Sequence, residues 1–66
     1  MKVVNKANLP YRIVGYVIDE YIANNYEDTC YYGKIEYFEF IYKDKKYKAQ
    51  IRYLKRYVEW IFCESN

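Results

Sequence analysis

General acid–base chemistry near neutral pH most often rests on histidine, and this chain has none. Nucleophilic catalysis is equally short of parts: Ser65 is the only serine, Thr29 the only threonine, and neither Cys30 nor Cys63 has an imidazole to take its proton. The cysteines form no CxxC pair and no zinc-spaced set, so they read as small core hydrophobes and no structural metal is expected. Glu36 and Glu39 are the closest carboxylates on a strand-like stretch. Three residues apart, they fall on opposite faces, where they cannot act on one substrate. Asp19 with Glu20, and Glu27 with Asp28, read as the solvated face of a helix and a turn rather than as a cation site. Gly15 and Gly33 stand alone, which excludes a phosphate-cradling loop or a dinucleotide fingerprint. These absences lead to the expectation of a protein that is not an enzyme and takes no cofactor.

The chemistry that remains is that of binding. Eleven tyrosines, one tryptophan and several arginines are more than a chain of 66 residues can enclose, and Tyr, Trp and Arg are the residues that dominate binding hot spots. Tyr11, Tyr16, Tyr21, Tyr26 and Tyr31 recur every five residues, a spacing that matches neither the helix nor the strand period and so marks no repeat. Net charge is only +2, but it is segregated. From Asp19 to Glu39 six carboxylates face Lys34 alone, whereas from Lys43 to Arg56 seven basic residues face only Asp44.

The elements that must position these residues are legible from their periodicity. Asn8-Leu9-Pro10 reads as a helix start, Asn as the cap and Pro in the first turn. Ile13, Val14, Val17, Ile18, Tyr21 and Ile22 then form one apolar stripe, which predicts a helix over 9–24 despite Gly15. Asn24 to Asp28 is polar and turn-prone. Lys34 to Tyr42 reads as a strand, Lys43-Asp44-Lys45-Lys46 as a charged hairpin loop, and Tyr47, Ala49, Ile51 and Tyr53 alternate with Lys46, Lys48, Gln50 and Arg52 as a second strand. The last third fits either a third strand over Val58 to Glu64, with Val58, Trp60 and Phe62 on one face, or a helical stripe of Ile51, Leu54, Val58, Ile61 and Phe62.

The expected architecture is one α+β domain over 1–66, an N-terminal helix packed on a three-stranded antiparallel sheet, with an α-β-β-α arrangement ending in a helix as the alternative. On the first arrangement Lys46, Lys48, Gln50 and Arg52 share the sheet face turned away from the helix. Tyr57 and Ile61 flank them on one side, and Phe38, Phe40 and Tyr42 on the other. Lys46, Lys48, Arg52, Tyr42, Tyr57 and Ile61 are therefore the expected binding residues. Met1 to Lys6 holds no apolar run of signal-peptide length and no segment approaches a membrane span, so a cytoplasmic protein with reduced thiols and no membrane partner is expected. A core this small beneath so many aromatics also predicts a homodimer. The functional expectation is a non-catalytic accessory or inhibitor protein, of the kind carried by phages and mobile elements, that docks on a larger nucleic-acid-handling or defence protein. The alternative is direct binding of single-stranded nucleic acid, because basic residues interleaved with rings suit phosphates and bases. The plainer reading of the same face sets Glu36 and Glu59 across from Lys and Arg as a cross-strand ion-pair network or one side of a self-complementary dimer.

Overall fold

The computed structural model describes residues 1–25 and 33–65, which form five elements: β1 (Lys2–Asn5), α1 (Tyr11–Asn25), β2 (Ile35–Tyr42), β3 (Lys45–Tyr53) and β4 (Val58–Glu64). The class is α+β, but the sheet is mixed rather than antiparallel, with four strands in the order β1-β4-β3-β2. β2, β3 and β4 form an antiparallel meander, and β1 lies parallel to β4 with Lys2 opposite Glu59 and Asn5 opposite Phe62. The C-terminal segment is a strand, so the two-helix alternative falls.

Entry into the helix also differs from expectation. Asn8 does not cap α1; it takes a left-handed conformation (φ 58°), which asparagine tolerates better than most residues. The clamp is Asn5 instead. Its side-chain amide donates to the Leu9 carbonyl (2.7 Å) and its Oδ1 accepts from the Leu9 N–H (3.0 Å), turning the chain from β1 back over the sheet. The Pro10 carbonyl then accepts from Ile13 and Val14, starting the helix where proline's missing N–H is harmless.

The β2–β3 turn is two residues long, with Lys43 and Asp44 both left-handed (φ 51° and 64°) and Tyr42 opposite Lys45. Positive φ at both central positions gives the turn whose twist suits a hairpin, here without the usual glycine. The β3–β4 reversal is longer and closes with the Leu54 N–H donating to the Tyr57 carbonyl (3.0 Å).

The core lies between α1 and one sheet face and consists of Leu9, Val14, Ile18, Tyr47, Ala49, Ile51, Trp60 and Phe62. Burying each larger side chain is worth about 1.5 to 3 kcal/mol. Rings dominate the layer: Tyr21 stacks on Phe38 (5.1 Å between centroids), Phe40 on Tyr47 (5.8 Å) and Trp60 on Phe62 (5.9 Å), with Phe38 edge-on to Trp60. Phe38, Phe40 and Tyr42 thus pack on the helix side. Their expected position on the open face is corrected by the turn geometry, because a two-residue loop pairs Tyr42 with Lys45 and so puts Ile41, not Tyr42, beside Lys46.

Candidate interaction face

Strand residues that face one another across a ladder point their side chains to the same side. With Tyr47, Ala49 and Ile51 buried against the helix, Lys46, Lys48, Gln50 and Arg52 must stand on the outer face, as the alternation predicts. Register then assigns the neighbours. One row across the sheet reads Lys2, Glu59, Arg52 and Ile35, the next Val4, Ile61, Gln50 and Tyr37, and beyond them Cys63, Lys48 and Glu39, then Lys46 and Ile41. No described element covers this face.

Two features define it. The first is an apolar band along β2: Ile35 is 57%, Tyr37 71% and Ile41 72% exposed, continued inward by half-buried Ile61 and Val4. The second is that three of its four cations, Lys2, Lys46 and Arg52, lie against carboxylates. Glu59 sits on the inner strand β4, only 8% exposed, with Arg52 Nη1 at 3.1 Å and Lys2 Nζ at 3.7 Å. Lys46 Nζ lies 3.7 Å from Glu39, whose other oxygen accepts from the Ser65 hydroxyl (2.6 Å). Lys48 stands over the Tyr37 ring at 5.8 Å and adds to the positive field on Glu39. The hydroxyl of Ser65, and then the neighbouring lysines, hold the Glu39 carboxyl below its usual range.

Of the expected binding residues, Lys46, Lys48, Arg52 and Ile61 come together on this face. Tyr57 lies at its margin, exposed in the turn before β4. Tyr42 does not belong to it; its ring meets Tyr47 on the helix side (6.5 Å) and carries Lys43 over it at 5.6 Å. Sequence reasoning missed Ile35, Tyr37, Ile41, Lys2 and Val4. The signal for the first three was available, since counting back from Lys43-Asp44 as a two-residue turn sets the parity of β2.

A second cluster lies on the helix side. Glu36, opposite Ile51, accepts hydrogen bonds from the hydroxyls of Tyr21 and Tyr53 and pairs with Lys34 (2.9 Å). The Tyr21 bond, reinforced by Lys34, pulls the Glu36 carboxyl below its ordinary value, while burial and the adjacent carboxylate push the Tyr21 phenol well above its own. A carboxylate held ionised beside a phenol held protonated is poised for hydrogen bonding, not for proton exchange near neutrality. Glu36 and Glu39 occupy opposite faces, as their spacing requires. Cys63 is a free thiol on the outer face opposite Lys48, and Cys30 lies outside the described residues. Among the described residues no three metal-ligating side chains gather, and no helix is long and apolar enough to cross a membrane.

Fold and side-chain geometry define a small α+β domain with an open, half-apolar sheet face. No protein-family model matches the chain, and neither a curated protein nor a solved structure shows significant similarity to it.

Proposed function

We propose that the chain is a non-catalytic docking module that binds a larger protein through the outer face of its sheet. The observation that carries the reading is the pairing of an exposed apolar band, Ile35, Tyr37 and Ile41, with cations already held by carboxylates of the same face. Phosphate binding draws its affinity from cations free to displace counterions. Here Arg52, Lys2 and Lys46 would have to break existing pairs first. A protein partner asks for the opposite arrangement, large rings and aliphatic groups at the centre with compensated charges around them.

The test has two stages. The tagged protein is used to capture partners from the organism that encodes it, with and without nuclease, and the affinity of the captured protein is then measured against variants. Ile35→Asn and Arg52→Ala are expected to weaken binding by about 1 to 3 kcal/mol each. Tyr11→Ser, a control at the start of α1 away from this face, should leave it unchanged. Affinity should change little with salt. Capture abolished by nuclease, with affinity that falls steeply with salt and a slope reduced by about one unit in Lys48→Ala, would instead support direct nucleic-acid binding. Full affinity in both Ile35→Asn and Arg52→Ala would mean that the outer face is not the docking surface.

A further inference from the structure

The sheet has one long unpaired edge. β1, at one side, is four residues long, whereas β2, at the other, runs eight residues, roughly 27 Å, and no described residue pairs with its outer side. The two-residue turn makes Tyr42 and Lys45 the closing hydrogen-bonded pair, and the ladder alternates from there. Glu36, Phe38, Phe40 and Tyr42 therefore spend their backbone groups on β3. The Tyr53 N–H, donated to the Lys34 carbonyl, continues the same phase at the far end. The outward N–H and C=O groups belong to Ile35, Tyr37, Glu39 and Ile41. Natural edge strands are usually blunted by lysine, proline or a bulge, and within β2 none of these interrupts the ladder.

Beside that edge, on the helix side, lies a second opening. An open groove of about 370 Å³ runs between α1 and β2, lined mainly by Tyr16, Val17, Tyr21, Phe38 and Phe40, with the polar Glu20 and Asn24 beside them. The edge thus offers backbone hydrogen bonds flanked by apolar surface on both faces of the sheet.

We infer that this edge is closed by a second copy of the chain, β2 pairing antiparallel with β2 about a two-fold axis through Phe38. The strand is complementary to itself in one register. Outward-bonding residues must meet outward-bonding residues, so the axis can only shift in whole-residue steps that keep this parity. With the axis at Phe38, Ile35 faces Ile41 of the second copy twice over and Tyr37 faces Glu39, while the two Phe38 rings form a close non-hydrogen-bonded pair on the helix side. Moving the axis to Glu39 sets two carboxylates opposite each other. Moving it to Tyr37 leaves Ile41 opposite Gly33, beyond the end of the strand. Only the Phe38 axis pairs the apolar ends, separates the charges and brings a second Phe38 ring to the groove mouth. The product is a continuous sheet from both chains whose two outer faces lie on the same side.

Sedimentation velocity of the whole chain across the micromolar range tests this. Tyr37 is largely exposed, so changes there leave the core intact, and near-ultraviolet circular dichroism checks that they do. The parent chain is expected to give a dimer mass. Tyr37→Glu places carboxylates against Glu39 at two symmetric positions and should raise the dimer Kd about tenfold or more, while Tyr37→Lys, facing the same carboxylates, should stay dimeric. Adding Glu39→Lys to Tyr37→Glu sets opposite charges across from each other at both symmetric positions and should restore the dimer. The inference is overturned by a monomeric parent chain, by a Tyr37→Glu variant that dimerises like the parent, by a folded Tyr37→Lys variant that is monomeric, or by a folded double variant that stays monomeric. It stands or falls independently of what the outer face docks on.

Discussion

Arg52 appears in the sequence as a cation on an open strand face, and an exposed charge of that kind usually alters stability by less than about 0.5 kcal/mol when truncated. Its partner changes the expectation. The Glu59 side chain is 10% exposed, fixed on an inner strand, and its Oε1 accepts from Arg52 Nη1 at 3.1 Å, while Lys2 approaches the other oxygen only to 3.7 Å. Arg52→Ala would leave a nearly buried carboxylate with one longer contact. At this separation a unit pair is worth about 1.3 kcal/mol with the dielectric of water and about 5 at an effective value of 20. Arg52 is itself 45% exposed, so solvent screening pulls the figure toward the lower end. A loss of about 1 to 2 kcal/mol follows, roughly 4 to 8 °C in Tm per kcal/mol for a domain of this size.

The companion change is asymmetric. Glu59→Gln leaves Arg52 free to hydrate, so it should cost about 0.5 to 1 kcal/mol, and Arg52→Ala made in the Glu59→Gln background should cost almost nothing further. Urea unfolding of the two single variants and the double variant therefore gives a coupling of about 1 kcal/mol. Two results would refute the reasoning: Arg52→Ala within error of the parent, or strict additivity across the cycle. Either would mean that the Glu59 carboxylate is hydrated despite its inner position.

Three further outcomes are expected. A Cβ at Gly15 would meet nothing within 4 Å, so Gly15→Ala should raise stability by about 0.5 to 1 kcal/mol in the same unfolding assay. Lys43 and Asp44 hold left-handed conformations that cost side-chain-bearing residues more than asparagine or glycine, and Lys43→Asn with Asp44→Gly should add about 1 kcal/mol with no change in the amide exchange pattern of β2 and β3. Tyr21→Phe removes the hydroxyl that does most to hold the Glu36 carboxyl down. The depressed value stabilises the fold above the unfolded carboxylate range and is lost as pH falls through the folded value, so the variant's deficit, about 1 to 2 kcal/mol at pH 7, should shrink below about pH 4.

Much of this fold is written in local pattern. The strand over Val58 to Glu64 occurs at its expected bounds, and the alternation of Tyr47, Ala49 and Ile51 with Lys46, Lys48 and Arg52 assigns both faces of β3. What was not legible depends on contacts between distant parts of the chain. β1 is a four-residue stretch with a lysine at one end and an asparagine at the other, and it is a strand only because β4 offers an edge to it. Asn8 has the cap chemistry, but Asn5, placed by that same pairing, takes Leu9 first. β2 is apolar and aromatic at alternate positions of both faces, with a glutamate on each, so its composition carries no parity. The Lys43-Asp44 turn supplies it. Glu59 takes its role from facing Arg52 across the β3–β4 register.

The tyrosines along the helix-side margin of β2 and the exposure of that strand have one origin. A helix is about 10 Å across, while four strands spaced at about 4.8 Å make a wider sheet, so one helix cannot cover the whole inner face. α1 packs over Trp60, Phe62, Ile51 and Ala49, the inner-face residues of β4 and β3, and those residues are almost fully buried. β2, the outermost strand, receives only the margin of that cover. Its inner residues Glu36, Phe38, Phe40 and Tyr42 are half-buried, and the gap beside them is the groove between α1 and β2. A half-wet rim favours side chains with a flat apolar body and a polar tip. There Tyr21 and Tyr53 turn their hydroxyls to Glu36, and Tyr42 packs on Tyr47. The same geometry leaves the β2 edge without a partner strand among the described residues. With one helix on the inner face, the β2 edge is what the proposed strand pairing would cover, while the outer face, on the side of the sheet away from α1, is what the proposed docking would use.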